Sequence, residues 1–241
     1  MGALANKAVG EYASKYFVAS FQKVATFRIV GGTKQGGNVA AYFCAPDGRV
    51  LNAVAGPVAA ATMLDEMKWT VELAEKAIKE SKGDGGKFKA IFRTAHAAKL
   101  KNQTGIVVEP VTYDAPEPDP RSALTYRDPS GRPLAPKLPP PPIDGPDVTL
   151  KEAELEKKQA ATRDRMMPMA GGAKPADLAD RRGRRWALGT QDRVHLLLAG
   201  HAMTKIEKVY GSVFENILGE KISTRPVEVV TPFPWVGRKG G

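Results

Sequence analysis

Residues 37–82, GNVAAYFCAPDGRVLNAVAGPVAAATMLDEMKWTVELAEKAIKESK, carry the order of elements from which the fold is read. Val39 to Cys44 is a continuous apolar run, the pattern of a strand buried on both faces. Ala45-Pro46-Asp47-Gly48 follows with turn chemistry: proline presets φ and glycine supplies a positive φ. Residues 49–55 read as a second strand, close enough to pair with the first as an antiparallel hairpin. Gly56-Pro57 stops that strand and opens a helix over 58–82, with Met63, Met67, Val71, Ala74 and Ile78 on its core face.

A chain of 241 residues is long enough for a real core in one large or two small domains. Nineteen prolines point to a portion outside that core. A net charge of +10 permits an acidic partner such as nucleic acid or an anionic surface. The single cysteine, Cys44, excludes an internal disulfide and a cysteine zinc cage, and suits a reducing compartment. The first residues lack a secretory signal, Asn6 stands where a myristoylation pattern wants Ser or Thr, and no apolar run reaches membrane-spanning length. The expected setting is cytoplasmic, with no membrane partner.

Before the central stretch, Leu4, Ala8, Val9, Tyr12 and Tyr16 recur at helical spacing, which predicts a helix over 3–17. Residues 21–30 read as a strand. The loop 31–37 holds four glycines but lacks a Gly-Lys-Ser/Thr ending and leads into a strand, so it reads as a connector rather than a phosphate cradle. After the central stretch, 81–86 ends the long helix and 88–100 forms another, with Phe88, Ile91, Phe92 and Ala95 inward. His96 lies beside that stripe and reads as a partly buried structural histidine. Residues 104–108 form a short strand.

Residues 106–150 hold 12 of the 19 prolines, with four basic and seven acidic side chains. This composition predicts an extended linker over about 106–148, between a domain at 1–105 and a helical region at 149–241. Thr149-Leu150-Lys151-Glu152 reads as a capping box opening a charged helix to about 165, and 166–175 as irregular. Arg181, Arg182, Arg184 and Arg185 with Trp186 form the densest basic cluster and are the candidate nucleic-acid contacts, arginine pairing phosphate and tryptophan stacking on a base. Without a recognised reader motif, the cluster reads first as a solvated face. A helix over 191–199, stopped by Gly200, and a second over 204–218 with a Thr204 to Glu207 capping box make an αα-hairpin, followed by a strand at 225–230. His195 and His201 flank a helix end with no carboxylate at a metal-binding spacing, so no metal is expected there.

The order helix, strand, glycine loop, strand, Pro-Asp-Gly turn, strand, Gly-Pro and helix resembles the C-terminal part of a thioredoxin fold, most closely over YFCAPDGRVLNAVAG. The resemblance covers residues 4–82 and implies an α/β (α+β) mixed sheet with residues 39–44 as a central strand. It departs from the family where the chemistry lies. No Cys-x-x-Cys stands at the first helix, and Asn38 occupies the place of the family's cis-proline. The implied function is a redox-inactive binding or scaffold module for a protein partner, without cofactor. An enzyme using Cys44 alone is the competing reading, opposed by the apolar strand that should bury the thiol. Nucleic-acid association through charge is the third.

Overall fold

The computed structural model describes residues 2–24, 28–30, 33–35, 38–111, 137–165, 176–223 and 228–230. The chain is mixed α/β. A 3-10 turn at Ala3–Ala5 leads into α1 (Lys7–Tyr16), whose first turn is capped by the Asn6 side chain accepting from Ala8 and Val9 N–H. Of the strand expected over 21–30, β1 occupies Arg28–Val30; residues 21–24 are not strand and Phe21 is exposed, and 25–27 lie outside the described residues. The glycine connector contains β2 (Thr33–Gln35), antiparallel to β1.

The decisive hairpin forms as β3 (Ala40–Cys44) and β4 (Val50–Ala55), antiparallel, with a bulge between Phe43 and Cys44. Gly48 takes the positive φ of the turn, 81°. Among the described residues these strands form a two-stranded sheet of their own, so residues 39–44 are not the middle of a larger mixed sheet. β4 is buried along its whole length, while Val39 is exposed.

Two long helices follow: α2 (Ala60–Ser81) and α3 (Gly85–Thr104). The glycines after Ser81 do more than end α2. Asp84 accepts from Lys87 N–H and caps α3 at once, so the second helix begins three residues earlier than its apolar stripe implies. On α2, Met63 and Met67 pack against Val9, Phe43 and Val54, as their spacing predicts. Ile78 does not follow; it is exposed and Ala77 is buried in its place.

β5 (Ile106–Val108) pairs antiparallel with β6 (Ile143–Pro146). The proline-rich stretch is therefore built into the fold at both ends. Leu138 is buried, its N–H donates to Ser212 Oγ, and Pro139 O meets His201 Nε2. The rest of that stretch, 112–136, lies outside the described residues. Thr149 donates to Asp147 Oδ1 through both N–H and Oγ1 rather than capping α4 (Glu152–Arg165). That helix compensates for its thin apolar face with polar contacts. Gln159 donates to Thr104 O and accepts from Ala187 N–H.

The expected irregular segment 166–175 lies outside the described residues. β7 (Ala176–Ala179) and β8 (Arg185–Leu188) then form a hairpin that the basic composition of 180–186 concealed. α5 (Thr190–His201) continues through Gly200, which is buried inside the helix rather than stopping it. α6 (Ile206–Gly211) runs without a side-chain cap at its start into a π-helical turn, Ser212–Ile217, and β9 (Glu228–Val230) pairs parallel with β1. Val209, Val213, Phe214, Ile217 and Leu218 are buried as their stripe predicts. They share one core with Val50, Ala53, Phe92, Val194 and Leu198. That core draws on both sides of the expected linker. Among the described residues no helix is long and apolar enough to cross a membrane.

Candidate binding groove and the polar cluster beneath it

α2 and α3 pack side by side and leave between them an open groove of about 780 Å³. Its floor and walls include Trp69 and Leu73 from α2 and Ile91, Ala95 and Lys99 from α3. Ala90, Thr94 and Ala98, one turn apart on α3, are exposed small residues that keep the groove open. Lys76 and Glu80 stand on the other rim, 3.8 Å apart as an i,i+4 pair.

Beneath the groove lies a cluster of polar side chains with little access to water. Glu66 is 4% exposed, on the face of α2 that also carries Met63, Met67 and Thr70. Its Oε1 accepts from Lys99 Nζ at 2.7 Å, and its Oε2 accepts from Asn52 Nδ2 at 2.9 Å. Asn52, fully buried on β4, also donates to Thr70 Oγ1, whose hydroxyl donates to Glu66 O. His195 Nε2 from α5 faces Glu66 Oε1 at 3.5 Å, an ion-pair distance but a long one for a hydrogen bond. His96 Nδ1 meets His195 Nδ1 at 2.9 Å, and His96 Nε2 meets Leu51 O at 2.8 Å.

Burial alone would raise the carboxyl of Glu66, but His195 and Lys99 together bring it down to about 2. Burial, reinforced by His195, pushes His96 down to about 3. Trp69 joins cluster to groove. Its ring meets those of His96 and His195 edge-on at 5.0 and 5.8 Å, and Lys99 Nζ stands 4.2 Å from its centroid.

Of the residues singled out from sequence, His96 and His195 fall in this cluster, while Cys44, His201 and the basic cluster at 181–186 fall elsewhere. Cys44 is half-buried, and burial, then Glu207 and Asp47, pushes its thiol up to about 11. At neutral pH it is not a thiolate nucleophile. Trp186 is 5% exposed and donates Nε1–H to Asp180 Oδ2, so it presents no face on which a base can stack. Arg184 is tied to Asp180 at 2.9 Å and Arg181 to Glu109 at 2.6 Å. Arg182 and Arg185 are exposed, but half of the basic cluster is already neutralised within the chain. His201 is buried and held by Pro139 O; burial pushes its pKa down. His96 is wholly rather than partly buried, and His195 lies within α5 opposite it. Among the described residues no three His, Cys, Asp or Glu side chains are grouped to hold a metal ion.

Sequence reasoning passed over Asn52, Glu66, Trp69, Thr70 and Lys99. A signal was present: Glu66 and Thr70 share the helical face of Met63 and Met67, and a carboxylate on an apolar stripe needs buried partners. Compared with protein-family models, with curated proteins and with solved structures, the chain matches none.

Proposed function

We propose that this chain is a binding module without redox chemistry, built on a thioredoxin-like hairpin and helix, that docks a protein partner in the α2–α3 groove. The observation that carries the reading is a groove with an aromatic and aliphatic floor, Trp69, Leu73 and Ile91, whose walls are fixed from beneath by the buried Glu66 cluster. A fixed apolar floor with a charged rim is the anatomy of an interface anchor: tryptophan supplies contact area while the walls have little freedom to lose. The absent dithiol and the raised Cys44 thiol argue against disulfide exchange, and the reading needs no cofactor. A reducing, cytoplasmic compartment suits a single half-buried thiol.

The test is site-specific photo-crosslinking. A benzoylphenylalanine placed at Leu73 or Ile91 should give protein adducts, and the same group at Val18, fully exposed and outside the groove, should not. Equal adducts from all three positions, or none from the groove, would overturn the reading.

A further inference from the structure

The carbonyl of Leu51 can only accept, so His96 Nε2 carries a proton. If His96 is neutral, as its burial requires, its Nδ1 is a bare acceptor, and the 2.9 Å contact is a hydrogen bond only if His195 Nδ1 donates. His195 Nε2 then faces Glu66 Oε1 at 3.5 Å. A bare nitrogen there would set its lone pair against a carboxylate that Lys99 and Asn52 already hold ionised. A protonated nitrogen makes an ion pair instead. Within a region closed to water, the second arrangement is strongly favoured.

We propose that the cluster binds one excess proton, held on His195 as an imidazolium between neutral His96 and ionised Glu66, and that this proton latches α3 to α5 and fixes the groove's floor. The consequence for docking rests on the groove reading above; the proton site does not. Among the described residues, polar and charged groups face the pair from four elements. α2 contributes Glu66 and the Trp69 ring, α3 contributes Lys99, and β4 contributes the neutral Leu51 carbonyl and Asn52. α5 contributes Asp192, buried one turn before His195 and facing Arg165 of α4. Burial raises the Asp192 carboxyl, so acid stabilises its buried form, opposite in sign to the effect of acid on the histidine pair.

The closed pair holds one excess proton. Parted and solvated, the two rings would hold two at acid pH and none at alkaline pH, with ordinary midpoints near 6.5. Opening is therefore least favoured near pH 6.5 and rises on both sides, about threefold at pH 5.5 and 7.5 and about 25-fold at 4.5 and 8.5. A second proton on His96 would also set two N–H groups against each other across the 2.9 Å contact.

The experiment uses the full chain labelled with 15N in its histidines. At pH 6.5 the imidazole shifts should show both nitrogens of His195 protonated, with His96 protonated at Nε2 alone. One bare nitrogen on His195 overturns the proposal. Hydrogen exchange at the α3 and α5 amides, corrected for intrinsic rate, should then trace the two-sided profile; a flat or one-sided profile overturns the latch. His96→Gln, which cannot take the second proton, should lose the acid limb and keep the alkaline one. Should that variant fail to fold, the wild-type nitrogen shifts still decide. Groove crosslinking at pH 6.5 is scored separately, so docking and proton site can fail independently.

Discussion

Glu66 shows how far one side chain can bind elements together: its two oxygens take Lys99 from α3 and Asn52 from β4, and they face His195 from α5. Removing its charge leaves an ammonium and an imidazolium without their counter-ion in a nearly closed space. Glu66→Gln should therefore cost about 2–4 kcal/mol in denaturant unfolding, more than a surface ion pair returns. A loss below about 0.5 kcal/mol would mean that the cluster is solvated. At Cys44, a thiol at about 11 has roughly three-hundredfold less thiolate at pH 7.5 than an ordinary cysteine. Higher intrinsic nucleophilicity returns about tenfold. Labelling should thus run about thirtyfold slower than for a free cysteine, and a rate equal to that of a model thiol would revive a reactive site. The apolar run that contains this thiol predicts a buried side chain, and the structure leaves it half-buried. Glu66 was not legible, because apolar periodicity counts only the residues that agree with it.

The elements that local chemistry specifies came through most clearly. β3, the Pro-Asp-Gly turn, β4 and α2 follow from an apolar run, a turn and a helix start in immediate succession. β7 and β8 did not, because each spans four residues and the loop between them is dominated by arginine. Their hairpin depends on Asp180 accepting from Arg182 and Arg184 N–H, a tertiary detail that composition does not announce. Gly200 misled for the converse reason: a buried glycine within a helix is spaced like one that ends it. Gly105 does end α3, at φ 75°, and a Cβ there would lie 2.5 Å from Leu155 Cδ1 of α4. Gly105→Ala should cost about 1–2 kcal/mol, from left-handed strain and the displaced leucine, and lower Tm by about 2–8 °C. An unchanged Tm would show that α3 and α4 are not held as described.

Across the whole molecule, stability should fall in acid. The folded state holds His96 at about 3 against an unfolded value near 6.5, so the unfolded chain binds the extra proton between those limits. Stability is lost as pH drops below about 6.5, by about 1.4 kcal/mol per unit, and His201, lowered by burial, adds to the slope. Below about 4.5 Glu66, held at about 2, steepens it further. Urea midpoints between pH 7 and 4.5 would check this, and a midpoint that stays level would contradict it. A groove in the first 105 residues is held from beneath by a helix from the last 60, within a core shared by Phe92, Val194 and Leu198. Proline content pointed instead to two units and a linker, because composition records how a stretch is made and not what its ends pack against. The direct measurement is native-state hydrogen exchange in low denaturant at the amides of Phe92 and Leu100 in α3 and of Val194 and Leu198 in α5. A single unit predicts that all four exchange through one opening, with the same free energy and the same denaturant slope. Loss of protection in α5 at lower free energy and smaller slope, with α3 still closed, would contradict it.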